Sequence, residues 1–173
     1  MSEDQIRQAI RDVPDFPKPG IIFKDITPIL GDPALFKATV DILVERIKDQ
    51  DIQKIAAIDA RGFLFAGAMC DRLDLGLVPI RKKGKLPYNT YEETYDLEYG
   101  SATLAVHQDA FEEGDRVALV DDLLATGGTA AASAKLIEQA GGKIADILFV
   151  VELAFLNGRE KLQDYNVFAP VVF

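Results

Sequence analysis

The stretch RVALVDDLLATGGTAAASAKLIEQAGG, Arg116–Gly142, constrains the fold more than any other part of the chain. Val117–Val120 is apolar without alternation, the pattern of a strand buried on both faces. Asp121 and Asp122 end that run, and a loop of small residues follows. Ala130, Ala134 and Ile137 then recur at helical spacing until Gly141 and Gly142 stop the pattern. A doubly buried strand that leads through a tight loop into a helix belongs to a parallel sheet with right-handed crossovers.

The same alternation of strand and helix repeats elsewhere. Asp32 and Pro33 form an N-cap and first helical position, and Phe36, Val40, Leu43, Val44 and Ile47 make one apolar stripe behind them. KIAAID, Lys54–Asp59, is expected to be a short buried strand, and RGFLFAGAMCDRLD, Arg61–Asp74, a helix with small residues for close packing. LGLVPIR, Leu75–Arg81, suits a further strand, although Pro79 argues for an edge or a weak one. A polar loop is expected next, then SATLAVH, Ser101–His107, as a strand outside the main parallel set. KIADILFVVEL, Lys143–Leu153, supplies one more strand, and Asn157-Gly158 a turn. VPDFPKPG, Val13–Gly20, is extended or turning. With 173 residues and no linker or repeat, the expectation is one α/β domain, a parallel central sheet flanked by helices.

Ligands of such sheets bind beyond the carboxyl ends of the strands. Three unusual segments fall there: Asp59-Ala60-Arg61-Gly62, Arg81–Lys85 and Asp121–Thr129. In the last, Gly127 and Gly128 allow successive backbone N–H groups to converge on an anion at a helix start, with Thr126 and Thr129 as hydroxyl donors. Taken alone, TGGT fits an ordinary capped helix start better than an anion site. Asp121 and Asp122 suit a ribose diol or a hydrated Mg²⁺, and also fit solvated turn acids. Arg81, Lys82, Lys83 and Lys85 are either a solvated run or, with Arg61, a cationic wall whose arginine forks match diphosphate oxygens. Together the three loops ask for a ribose 5-phosphate framework that carries a diphosphate and binds Mg²⁺.

Other chemistries find little support. G-x-x-x-x-G-K-[ST] and G-x-G are both absent, so neither a P-loop nor a dinucleotide fingerprint is present. His107 and Cys70, the sole histidine and cysteine, cannot make an ordinary structural zinc site; His107 is expected on a strand surface and Cys70 in the core. The net charge of −9 argues against nucleic acid as a partner, yet it permits a small anion, because charges beyond about 8 Å are screened. No run approaches the roughly 20 apolar residues of a membrane span, and the charged N-terminus does not have the form of a secretory signal. A single cysteine fits a reducing, cytoplasmic setting.

VALVDDLLATGGT resembles the phosphoribosyl-pyrophosphate signature of the type I phosphoribosyltransferases. DFPKPGIIFKDITPIL, ARGFLFAG, VPIRKKGKLP, YDLEYG and ELAFLNGREKL are similar, in order, to the segments of that family's adenine-using members. The resemblance implies purine salvage: adenine and phosphoribosyl pyrophosphate give AMP and pyrophosphate with Mg²⁺, in a cytoplasmic homodimer. It implies that Asp121 and Asp122 bind the ribose hydroxyls, with Mg²⁺ held mainly through substrate and water. Ala125, Thr126, Gly127, Gly128 and Thr129 would wrap the 5′-phosphate, while Arg61, Arg81 and Lys85 meet pyrophosphate, Arg81 from a dimer partner. Ile22 would read the base edge through its backbone, with Lys24 beside it; Phe23 and Leu123 would sandwich the ring, and Glu98 would manage the purine proton. Residues 1–30 would form a hood over the base, 82–95 a mobile loop, and Asp59–Ala60 a cis peptide.

Two positions depart from the family pattern. Lys24 stands where many members have Arg, and Ala60 where some have Ser. Two other readings share the signature: a sister enzyme for a 6-oxo purine, and a non-catalytic sensor of phosphoribosyl pyrophosphate. GIIFKDITPIL and YDLEYG favour adenine, and the chain has no segment suited to DNA binding.

Overall fold

The computed structural model describes residues 1–173. Its N-terminus is a small structure of its own. Helix α1 (Glu3–Ala9) opens on a capping box in which Ser2 and Gln5 satisfy each other's backbone N–H groups. That S-x-x-Q signature was open to reading in the sequence. Strands β1 (Arg11–Pro14) and β2 (Ile22–Asp25) pair antiparallel, with the proline-rich segment as the connection between them. A short helix, α2 (Thr27–Gly31), leads into α3 (Pro33–Ile47), which Asp32 caps through the N–H groups of Ala34 and Leu35.

The main sheet is built on parallel strands β3 (Lys54–Ile58), β4 (Gly76–Lys82), β7 (Arg116–Leu124) and β8 (Lys143–Glu152). Helix α4 (Gly62–Leu73) connects the first two, and α5 (Gly128–Gln139) the last two. Strands β5 (Thr90–Leu97) and β6 (Gly100–His107) add an antiparallel hairpin at one side, while β9 (Val167–Phe168) and β10 (Val171–Val172) pair with β8 at the other. The order is β10-β8-β7-β3-β4-β6-β5.

Residue alternation explains the layering. Ile55, Ala57, Ala118 and Val120 face a core that holds Val40, Leu43, Phe65 and Met69 of α3 and α4. Ala56, Ile58, Val117 and Leu119 face the opposite core with Leu136 and Ile137 of α5. Both faces are covered, so these strands need no polar residue until they reach the edge.

Pro79 sits inside β4 without cost because β6 pairs with β4 only at Arg81 and Lys82. At Pro79 the strand is in effect an edge. The expectation of a polar loop up to residue 100 is corrected: TYEETYDL is β5, paired residue for residue with β6. Tyr91, Glu93 and Tyr95 are partly buried while Glu92, Thr94 and Asp96 are exposed, a period of two made inconspicuous by so many polar side chains. Cys70 lies in the core as expected, and burial pushes its thiol up to about 11, which leaves it inert. His107 ends β6 and accepts the N–H of Tyr88.

Because β3, β4 and β7 run in one direction, the three unusual segments emerge on the same edge of the sheet.

Candidate functional site

Strand β7 reaches that edge with its two acids. Asp122 is 4% exposed, and Arg61 Nε lies 2.8 Å from its Oδ2 but off the axis of a hydrogen bond, so this buried oxygen has none. Asp121 turns back and accepts the N–H of Asp122 at 2.8 Å. Gly62, the first residue of α4, allows this close meeting: a Cβ there would stand 3.0 Å from the Val120 carbonyl and 3.1 Å from Asp121 Oδ1.

Burial, and then the neighbouring Asp122 charge, raise the Asp121 carboxyl well above its ordinary 3.8. The folded protein therefore favours the protonated Asp121 carboxyl more than the unfolded chain does. The sign follows: stability falls as pH rises from the ordinary carboxylate range through the raised folded value. Asp121→Asn is expected to raise the thermal midpoint of the ligand-free protein at pH 7, with the gain shrinking toward pH 4, in the ordinary carboxylate range. Thermal unfolding across that range checks it. A variant less stable than the parent at every pH would contradict the account.

Ala125, Thr126, Gly127, Gly128 and Thr129 line one cavity with Asp121 and Leu123. Gly127 is the N-cap of α5 with φ +87°, a conformation that favours glycine. Space demands glycine as well, since a Cβ at this position would lie 2.4 Å from the Gly158 carbonyl oxygen. The N–H groups of the first turn of α5 have no partner within the helix, an arrangement that suits an anion. Ile58, Asp59, Ala60, Lys82, Tyr95 and Thr129 line an adjoining cavity, so the cleft continues from the glycine loop to the end of β3. The Asp59–Ala60 peptide is cis.

The cations divide. Arg61 is half-exposed at the start of α4, its guanidinium 5.6 Å from the centre of the Phe23 ring. Arg81 Nε is held by Asp59 Oδ2 at 2.9 Å, and its terminal nitrogen reaches the Lys85 carbonyl at 3.3 Å. Lys85 itself is exposed in the turn after β4.

The N-terminal hairpin brings Phe23 to the cleft, edge-on to Phe16 at 5.2 Å. Ile22 is 58% exposed at the start of β2. Alternation along β2 sends Lys24 to the other face from Phe23. There its ammonium meets Asp12 Oδ1 at 2.6 Å and lies 4.1 Å from the centre of the Phe173 ring. The structure thus brings Phe23 and Arg61 together and sets Leu123 in the glycine-loop cavity, but it fixes the Lys24 side chain to the back of the hairpin. Glu98 is exposed in the β5–β6 turn, and its neighbour Tyr99 lies 5.7 Å from Lys18 Nζ, which brings the turn beside the hairpin.

Two residues at the site were not singled out in the sequence. Tyr95 donates to or accepts from Thr129 Oγ1 at 2.9 Å, and Gly158 backs the glycine loop. Tyr95 opens the YDLEYG segment and Gly158 lies within ELAFLNGREKL, but neither segment assigns them a role, and alternation within β5 and the Asn157-Gly158 turn were the only local signals.

A model of the phosphoribosyl transferase domain matches residues 26–170. The adenine phosphoribosyltransferase of Chloroflexus aurantiacus is 51% identical over 173 residues, all of both chains. The crystal structure of adenine phosphoribosyltransferase from Thermoanaerobacter pseudethanolicus superposes with a TM-score of 0.96 at 49% identity, covering 99% of this chain and 100% of the other. The Saccharomyces cerevisiae enzyme, complexed with an imino-altritol bisphosphate and adenine, gives 0.92 at 39% identity over 97% of each chain. With the glycine loop, the paired acids and the cations on one edge of such a sheet, the chain belongs to the adenine phosphoribosyltransferase family.

Proposed function

We infer that this chain catalyses purine salvage by transferring the 5-phosphoribosyl group of phosphoribosyl pyrophosphate to adenine, releasing AMP and pyrophosphate. The observation that carries the reading is the glycine-loop cavity with Asp121 in its lining, beside which the Asp122–Arg61 pair leads to the Phe23 ring. Adenine and a sugar-like bisphosphate share the yeast relative, which supports the same pair of ligand types here.

In this reading the α5 N-terminus and residues 125–129 hold the 5′-phosphate, and Asp121 and Asp122 accept hydrogen bonds from the ribose hydroxyls. A ribose hydroxyl gives the buried Asp122 Oδ2 a hydrogen bond. Arg61, Arg81 and Lys85 neutralise the pyrophosphate, Arg81 after it leaves Asp59 or from a second copy of the chain in a homodimer. The base lies against Phe23 and Leu123, with the Ile22 backbone at its edge.

The paired acids fit a divalent cation only in part, because no group of three or more His, Cys, Asp or Glu side chains comes together to hold one. That donor set suits Mg²⁺, which keeps its waters and takes most ligands from a diphosphate substrate, with Asp121 and Asp122 nearby. When bound it would offset charge on the leaving pyrophosphate. The residues of the chain do the rest. As the bond from the anomeric carbon to pyrophosphate breaks, charge gathers on the leaving oxygens facing the cations, and such preorganised electrostatics is commonly the largest catalytic contribution. The base nitrogen bonds the carbon from the opposite face, and Glu98 takes up the imidazole proton. Of residues 82–95, those from 83 to 89 lie outside strands β4 and β5, and their closure excludes water that would otherwise hydrolyse the substrate. A reducing, cytoplasmic setting suits the one free thiol, Cys70.

The test is an absorbance assay of purified protein with phosphoribosyl pyrophosphate, Mg²⁺ and adenine. AMP formed in step with pyrophosphate is the expected result. Binding of the diphosphate without turnover would favour a sensor and overturn the enzyme.

A further inference from the structure

The Tyr95–Thr129 contact joins two parts of the site that the reaction uses separately. Tyr95 stands on β5, the strand that leads to Glu98, and Thr129 stands in the first turn of α5, within the glycine loop. Their hydroxyls are 2.9 Å apart and partly buried. The Tyr95 ring lies flat enough against the loop that a Cβ on Gly128 would come within 3.2 Å of its Cδ2. The two glycines therefore answer different neighbours: Gly127 makes room for Gly158, and Gly128 for Tyr95. Thr129 is fixed from a second side, because Ser133 Oγ donates to its carbonyl at 2.8 Å. Lys135 and Glu93, 3.7 Å apart, tie β5 to α5 again further along.

We propose that Tyr95 is a positioning residue for the 5′-phosphate, orienting the Thr129 hydroxyl through the bond between them. This rests on the reading that the glycine loop holds that phosphate. A hydroxyl has one proton to donate and lone pairs to accept with. If Thr129 gave its proton to Tyr95, it could offer a phosphate oxygen only lone pairs. A phosphate dianion only accepts, so its arrival selects the opposite sense: Tyr95 O–H donates to Thr129 Oγ1, and Thr129 O–H donates to phosphate. Hydrogen bonds in such a chain strengthen one another, most of all when the last acceptor is charged. Tyr95 has no direct contact with the ligand in this arrangement, and it ties occupancy of the phosphate loop to the strand that carries Glu98.

Tyr95→Phe keeps the ring that packs against Gly128 and removes only the hydroxyl. Calorimetric titration with ribose 5-phosphate reads phosphate binding without turnover. The loss of one supporting hydrogen bond should weaken that binding roughly fivefold. KM for phosphoribosyl pyrophosphate should rise with it, while KM for adenine stays within about twofold. Thr129→Val should also weaken binding, and adding Tyr95→Phe to it should cost nothing more, because the hydroxyl to be oriented is gone. Unchanged binding in Tyr95→Phe, or the same loss in the Thr129→Val background as in the parent, would overturn the proposal while leaving the phosphate loop intact. A parent protein that binds no ribose 5-phosphate would overturn the loop assignment and this proposal together.

Discussion

Asp122→Asn is expected to lower kcat/KM with phosphoribosyl pyrophosphate about 100-fold, with the fold retained. The side chain keeps its volume and one oxygen, so the buried end of β7 need not repack. Its charge is what goes. Arg61 then loses its partner, and a ribose hydroxyl loses a charged acceptor. Removing one preorganised hydrogen-bonding group from a catalytic site costs about 2.7–4 kcal/mol in transition-state binding, and the half-exposed Arg61 beside Asp122 places this loss at the lower end. A loss of about 3 kcal/mol in transition-state binding corresponds to a little over two decades in rate. Steady-state kinetics with each substrate varied in turn checks it. The effect should fall on phosphoribosyl pyrophosphate, and near-parental kcat/KM would remove Asp122 from the site.

The second large effect is expected at Gly127. Alanine there must adopt a φ near +87° and place its Cβ 2.4 Å from a backbone oxygen of Gly158. The backbone conformation alone costs about 1–3 kcal/mol, and the clash can be relieved only by moving the phosphate loop off the Asn157-Gly158 turn. Gly127→Ala should therefore lower the unfolding midpoint and also raise KM for phosphoribosyl pyrophosphate by at least about tenfold. Gly114 offers a control, because it shares φ +87° but has nothing within 4 Å of a Cβ. Gly114→Ala should show the stability loss without the kinetic one. Equal kinetic effects at the two positions would mean that Gly127 acts through general stability and not through the loop.

These expectations rest on features of unequal visibility in the sequence. The run from Val117 to Gly128 displayed its strand, acids and loop because the chemistry is local: a strand loses its apolar pattern where it meets ligand. Helices α3 and α4 were readable from their apolar stripes, and α3 also from its cap. Strand β5 was hidden because five of its eight residues are polar or charged, and its pairing with β6 is decided by partners. The approach of Arg61 to both Phe23 and Asp122 depends on long-range assembly of the hairpin, α4 and β7, which no spacing encodes. Lys24 shows the limit of carrying a motif across. Its place in the GIIFKDI segment puts it beside the base, yet β2 alternation and the Asp12 carboxylate turn it away. The need for glycine at 158 is a matter of tertiary distance, 2.4 Å from a Cβ to the Ala125 carbonyl oxygen.

The central claim is that this cleft is built to receive adenine as well as phosphoribosyl pyrophosphate. The ratio of kcat/KM for adenine to that for hypoxanthine, measured on one preparation with Mg²⁺, tests it most directly. A pocket that pairs with the 6-amino group leaves buried polar groups unmatched when a 6-oxo base enters, and such sites discriminate by about 10⁴ or more. A ratio of that order is the predicted result. A ratio near unity, or one that favours hypoxanthine, would contradict the account of the base pocket.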